Sequence, residues 1–244
     1  VLAGNSQRKW FENRTKAVYM RKEHTMRQKR AKVLLMVVLS LALALTGCAG
    51  RRQGESTESQ ITIGIPQDIE DSLDPHKATA AGTKEILFNI FEGLVKPDEN
   101  GNLMKAVASD YKISEDGLVY TFTLRENVKF HNGNVVTAED VEYSLKRASG
   151  LLDGTPLISA LSVITSVDIV DPKTVQVTVG SANTELIYSF VAAIIPKGSG
   201  EDANADPVGT GPFSFVSYAP QEGIVVAKNA DYWQEGLPYL DKVE

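Results

Sequence analysis

The sequence has very few of the residues that build covalent cross-links and metal centres. Cys48 is the only cysteine in 244 residues, so an internal disulfide and a site built from several thiolates are both excluded. Beyond it lie two histidines, His76 and His131, without a nearby ladder of acidic residues at metal-ligand spacing. We therefore expect no metal and no cofactor. His76 is predicted to order its turn, and His131 to make hydrogen bonds in a surface turn rather than to act as a base.

Signatures of covalent catalysis are missing as well. No serine or cysteine lies in a recognisable nucleophile elbow, and no pair of carboxylates stands out. The glycine-rich residues 209–212 lack the lysine and the Ser/Thr that follow the glycines of a phosphate-binding loop. A tight turn that needs glycine conformations explains these residues better. The sequence thus indicates no catalytic residues and predicts that the protein is not an enzyme.

Positive charge is scarce after the first 47 residues. Residues 1–47 hold 10 of the 25 Lys and Arg but 2 of the 31 Asp and Glu, which leaves 15 against 29 and a formal charge of −14 for the remainder. This balance argues against nucleic acid as a partner, because phosphate binding needs a basic face. It is weakly compatible with cationic ligands, although a solvated acidic surface is the ordinary explanation.

Basic residues at 27–32 precede an apolar run at residues 33–45. This run of thirteen residues, twelve of them apolar, is shorter than the ~20 that span a bilayer as a helix, which disfavours the alternative of an uncleaved membrane anchor. The sequence Leu45-Thr46-Gly47-Cys48 follows, and small residues before a cysteine are typical of a cleaved lipoprotein signal. We predict that residues 1–47 are an upstream extension and signal peptide, with translation starting at Met20 or Met26.

Cys48 is then the predicted point of lipid attachment. The polar residues 48–60 that follow it are predicted to be a flexible tether. The protein would accordingly be extracytoplasmic and held to the cell membrane by its lipid, in the periplasm or at the outer face of the cytoplasmic membrane.

The most regular pattern lies at residues 117–147. Alternation over residues 118–125 predicts a strand whose buried face carries Leu118, Tyr120, Phe122 and Leu124. Thr137, followed by acidic residues, indicates a capping-box-like helix start. That helix is predicted to run to about Ser149, with a buried stripe of Val141, Leu145 and Ala148.

This stretch resembles the signature of the bacterial extracellular solute-binding family that serves ABC importers of peptides and nickel complexes. Four further family motifs occur in the expected order: Leu73-Asp74-Pro75-His76, Phe91-Glu92-Gly93-Leu94, residues 207–213 and Asn229-Ala230-Asp231-Tyr232-Trp233. The resemblance implies an α/β, bilobed, periplasmic-binding-protein-like (type II) fold. Only the first lobe, with its inserted subdomain, would be present in this chain.

The resemblance also implies domain boundaries. Residues 61–90 would form the first part of lobe I, residues 91–199 an inserted subdomain, and residues 200–244 the continuation of lobe I. Because family members usually run to twice this length, we expect an N-terminal fragment truncated before lobe II.

Periodicity predicts further elements outside the signature. Strands are expected at residues 61–65, 213–217 and 224–228, with hairpins centred on residues 115–117 and 171–173. A helix is expected from Thr83, which would cap it, through apolar positions up to Leu94. A second helix is expected at residues 184–193.

The loop before the helix predicted from Thr83 is the candidate ligand-binding segment. Its residues are Ala78, Thr79, Ala80, Gly82 and Thr83. Amides at a helix start can receive a carboxylate or another anion, although an ordinary helix-entry loop explains each residue equally well. The resemblance implies that Ala78 and Thr83 face the cleft, where small uncharged side chains shape a pocket. It also implies that the acidic residue holding a peptide's amino terminus belongs to the second lobe.

The resemblance thus implies a monomeric, lipid-anchored substrate-binding component of an ABC importer. It would capture short peptides or related solutes and deliver them to a membrane permease. A sensory or chaperone-like lipoprotein with the same ligand-binding fold is the alternative. A hydrolase would need catalytic residues in the absent half.

Overall fold

The computed structural model describes residues 58–65, 68–69 and 71–244. The predicted signal peptide, Cys48 and most of the tether lie outside these residues. Within the described ranges, no helix is both long and apolar enough to cross a membrane.

Two α-helices and ten strands are found in the described part of the chain. The helices are α1 (Ala81–Leu87) and α2 (Ala138–Ser149), and 3-10 turns occur at Ser159–Leu161, Leu186–Val191 and Ser199–Glu201. The strands are β1 (Gln60–Ile61), β2 (Val95–Pro97), β3 (Leu103–Lys105), β4 (Ala108–Ile113), β5 (Val119–Leu124), β6 (Ile164–Asp171), β7 (Thr174–Val179), β8 (Phe213–Ala219), β9 (Gly223–Lys228) and β10 (Lys242–Val243).

One four-stranded sheet joins the beginning and the end of the described chain. Its strand order is β1-β10-β9-β8, in which β1 pairs in parallel with β10 and the other neighbours are antiparallel. The core beneath this sheet includes Phe213, Val226 and Leu87, the last residue of α1. The sheet therefore packs on the helix that follows the candidate loop.

A second four-stranded sheet is antiparallel, with the order β4-β5-β7-β6. Tyr120 and Phe122 point from β5 into its core, where their rings lie 5.4 and 4.8 Å from that of Phe190. The stripe of α2 predicted above is buried in the same core. The predicted alternation of β5 and both predicted hairpins are confirmed.

The start of α2 has the predicted capping box. Thr137 Oγ1 accepts a hydrogen bond from the Asp140 amide at 3.3 Å, and Asp140 Oδ2 accepts one from the Thr137 amide at 2.8 Å. Gly150 ends the helix in the left-handed region, at φ 85°. The capping box is local in sequence, which is why it could be predicted.

Three predicted elements differ in the structure. Helix α1 starts after Ala80, so Thr83 is not its cap but lies buried inside its first turn, and the helix ends at Leu87 although the apolar spacing continues. Residues 184–193 contain a 3-10 helix rather than an α-helix. Strand β1 is two residues long, and Ile61, Ile63 and Ile65 are exposed.

Candidate functional site

The candidate loop divides into an exposed and a buried part. Thr79 and Gly82 are exposed and Ala80 is half-buried. Ala78 and Thr83 are buried, with 5% and 1% of their surface accessible. The loop therefore presents its backbone and two small residues to solvent, above two residues that pack inward.

Asp71 holds the exposed part of this loop in place. Its Oδ2 accepts hydrogen bonds from the Thr79 amide, from Thr79 Oγ1 at 3.1 Å and from the Ala80 amide at 2.9 Å. Partial desolvation raises the pKa of Asp71, but the amides of Ala80 and Thr79 lower it by more, so the net pKa lies well below its ordinary value. The carboxylate is therefore ionised at neutral pH.

A buried ion pair supports the base of the loop. Arg147 of α2 donates two hydrogen bonds to Asp74, at 3.1 and 2.6 Å, and one to the Gly200 carbonyl at 3.0 Å. Asp74 is 1% exposed, and its backbone carbonyl accepts from the Ala78 amide at 2.9 Å. The ion pair thus connects the loop, α2 and the segment around Gly200.

His76 completes this network in its neutral form. Its Nδ1 accepts a hydrogen bond from Arg147 at 2.8 Å, so Nε2 carries the proton and donates to the Ala193 carbonyl at 2.8 Å. Burial lowers the pKa of His76 to about 4, and the positive charge of Arg147 adds to this against the opposing charge of Asp74. His76 thus holds its turn in place, as predicted, but it does so through partners on α2 and at Ala193 rather than through side-chain bonds within the turn.

The glycines at 209 and 211 are needed for close packing rather than for an unusual backbone conformation, which corrects the prediction. Neither has a positive φ. A Cβ on Gly209 would overlap the Ile90 carbonyl, and one on Gly211 would lie 2.6 Å from the Asn89 carbonyl oxygen. The Gly211 amide donates to the Ile90 carbonyl at 2.9 Å, so this run packs directly on the chain that follows α1.

His131 bonds to this glycine run rather than within its own turn. Its Nδ1 accepts from the Gly209 amide at 3.2 Å, and its Nε2 donates to the Gly211 carbonyl at 3.1 Å. Burial lowers the pKa of His131 as well. The expectation of a hydrogen-bonding histidine is correct, but its partners are about 80 residues away along the chain.

Sequence reasoning missed a cluster around Glu92. This carboxylate is 4% exposed and accepts hydrogen bonds from Lys96 at 2.7 Å, Tyr232 at 2.5 Å and Trp233 Nε1 at 2.6 Å. The Arg125 guanidinium lies 4.1 Å above the Trp233 ring. The cluster joins two of the family motifs quoted above, and their co-occurrence was the only signal that could have indicated it.

No group of three or more potential metal ligands comes together among the described residues. The titratable clusters found there are instead closed by internal partners. Asp74 and Glu92 each bind basic or aromatic donors of the chain itself. The arrangement is suited to holding loops in position.

Solved structures define the class of this fold. The periplasmic binding protein AgaA from A. tumefaciens R10, determined with agropinic acid, is 31% identical with a TM-score of 0.67, over 76% of this chain and 38% of its own. The Escherichia coli murein tripeptide binding protein MppA is 27% identical with a TM-score of 0.67, over 76% of this chain and 41% of its own. The fold is that of a type II periplasmic binding protein, represented here by part of a lobe, as predicted.

The family follows from the sequence match. The model of bacterial extracellular solute-binding proteins, family 5 (middle), matches residues 102–244, and the chain belongs to this family. The glutathione-binding protein GsiB of Salmonella typhi is 32% identical over 179 residues, which cover 70% of this chain and 35% of GsiB. The chain thus spans about a third of the length of this curated relative.

Proposed function

We propose that the protein is the lipid-anchored substrate-binding component of an ABC importer. It captures short peptides or related solutes and delivers them to permease subunits as a monomer, without a catalytic step, cofactor or metal. The observation that carries this proposal is the family match over residues 102–244. Two similar proteins are named for short peptides, glutathione and a murein tripeptide, which favours solutes of this size.

We further propose that the loop with Ala78, Thr79, Ala80, Gly82 and Thr83 forms part of one wall of the solute cleft. Its exposed residues would contact the solute. The two buried residues, Ala78 and Thr83, would fix the position of the loop backbone relative to the core. All five are uncharged, so their side chains offer shape and hydrogen bonds rather than a charge. Closure of a second lobe over this wall would enclose the solute.

Solute uptake tests the function. Disruption of the gene should reduce uptake of labelled glutathione or tripeptides by the host cell, and the intact gene should restore it. A Cβ at Gly82 meets no atom within 4 Å, so Gly82→Trp should fold but obstruct the wall and fail to restore uptake. Gly64→Trp is the matched control, since Gly64 is equally open and lies outside the loop. Normal peptide uptake without the gene would refute the proposal.

The lipid anchor has a separate test at Cys48. Because this is the only thiol in the chain, incorporation of labelled fatty acid should disappear in Cys48→Ala. Ser56→Ala, in the same polar tether, should be labelled like the wild type. Undiminished labelling of the Cys48 variant would remove the anchor from the proposal.

A further inference from the structure

The exposed part of the candidate loop is already bonded to a carboxylate of the chain, that of Asp71. Its Oδ2 accepts from the amides of Thr79 and Ala80 and from the Thr79 hydroxyl. These are the donors that a solute carboxylate would seek at the entry to α1. The chain itself therefore fills the position in which this part of the loop could hold an anion.

The carboxylate of Asp71 is ionised at neutral pH. The hydrogen bonds that Asp71 receives hold its pKa far below neutral, and the Thr83 hydroxyl acts in the same direction. That hydroxyl is buried and has no hydrogen-bond partner among the described residues. Asp71 itself is exposed, and a solute that reaches Thr79 also meets its negative charge.

We infer that Asp71 is a positioning and specificity-determining residue for solute binding. Its side chain fixes the backbone of Thr79 and Ala80, and its charge excludes carboxylates there, so a solute meets this wall with a neutral polar or cationic group. Like charges placed together oppose binding of the wrong ligand group. The inference rests on the proposed function, because it specifies which end of a peptide faces the loop.

Nuclear magnetic resonance of the isotope-labelled full chain tests the positioning role without any solute. In Asp71→Ala, solvent exchange of the Thr79 and Ala80 amides should rise about tenfold or more, because each loses a charge-assisted hydrogen bond. Added acetate should then shift both amide signals to saturation and slow their exchange again, while wild-type signals should not move. Asp71→Asn keeps the side-chain shape and should exchange at an intermediate rate with the fold intact.

Asp68→Ala is the matched control. Asp68 also accepts from backbone amides, those of Ile69 at 2.8 Å and Gln221 at 2.9 Å, but it makes no contact with the loop among the bonds found in the described residues. Its removal should leave the Thr79 and Ala80 signals unchanged. Acetate-induced shifts of these signals in the wild type, or unchanged exchange in Asp71→Ala, would overturn the positioning role.

Paired blocked peptides test the specificity role. These measurements use the protein with its second lobe, because one wall alone cannot enclose a solute. Its wild type should bind a tripeptide amide, which keeps only its ammonium group, better than the same N-acetylated tripeptide, which keeps only its carboxylate. Asp71→Ala should lose this preference. A wild-type preference for the acetylated peptide would overturn the specificity role. If the wild type binds neither peptide nor glutathione, the proposed function fails, and the exchange and acetate results still decide the positioning role.

Discussion

Loss of the Arg147 guanidinium should destabilise the fold more than the loss of any other charged group named above. Arg147→Met keeps most of the aliphatic stem in the helix but deletes the guanidinium. That group donates two hydrogen bonds to Asp74, one to His76 Nδ1 and one to the Gly200 carbonyl. All of these acceptors would lose a partner at once.

The magnitude follows from burial. Asp74 and His76 are 1% and 2% exposed, so water cannot replace the lost donors. Breaking a buried ion pair by removing one partner costs about 3–5 kcal/mol, mainly because the remaining charge is buried without compensation. Removing the second partner as well, in Asp74→Leu with Arg147→Met, should cost less than the sum of the two single changes.

Urea unfolding followed by circular dichroism measures these differences as a change of midpoint at constant slope. Lys146→Ala is the control, since Lys146 is the neighbouring residue and its ion pair with Glu142 is partly exposed on the surface of α2. That pair should contribute about 0.5 kcal/mol or less. If the free energy of unfolding of Arg147→Met lies within about 1 kcal/mol of the wild-type value, then the ion pair does not stabilise the contact between the loop and α2.

Three further changes have defined outcomes. His76 has a folded pKa of about 4 against 6.5 when unfolded, so the unfolded chain binds more protons between these values. Stability should be full above pH 6.5 and fall by up to about 3 kcal/mol towards pH 4. Urea midpoints across this range should show a smaller fall in His76→Gln, where His131 and, near pH 4, the aspartates with a lowered pKa still act in the same direction. Phe122→Ala should cost about 3 kcal/mol or more, whereas the exposed Thr123→Ala should melt almost like the wild type. Gly209→Ala should lower the melting temperature because its Cβ overlaps a backbone carbonyl, and an unchanged melting curve would contradict that close approach.

Local patterns in the sequence predicted the elements whose causes are local. The alternation through Phe122 correctly predicted which face of β5 is buried, and the Thr137 capping box correctly predicted where α2 begins. Each depends on residues within a few positions of one another. The family motifs added the fold class, because their order is specific even where their physical roles are not evident.

Long-range contacts explain what the sequence did not predict. Threonine is a residue type favoured at helix N-caps, but the packing of α1 buries Thr83 inside the first turn. Glu92 and Trp233 are 141 residues apart, and neither residue alone indicates a shared cluster. The contacts of Asp71 are closer, eight and nine residues along the chain, but they too depend on how the turn between them folds. The domain boundaries at residues 90 and 199 and the role of the loop stay predictions.

The parallel pairing of β1 with β10 constrains the order in which this chain can fold as it emerges from a ribosome or a translocon. Ser59, beside β1, donates to the carboxylate of Asp241, 182 residues later, and the Ile63 amide donates to the Glu244 carbonyl. The hairpins β4-β5 and β6-β7 pair residues that are close in sequence, so they can form early. The segment nearest the predicted membrane tether can therefore take its place in the sheet only after residue 244 has emerged.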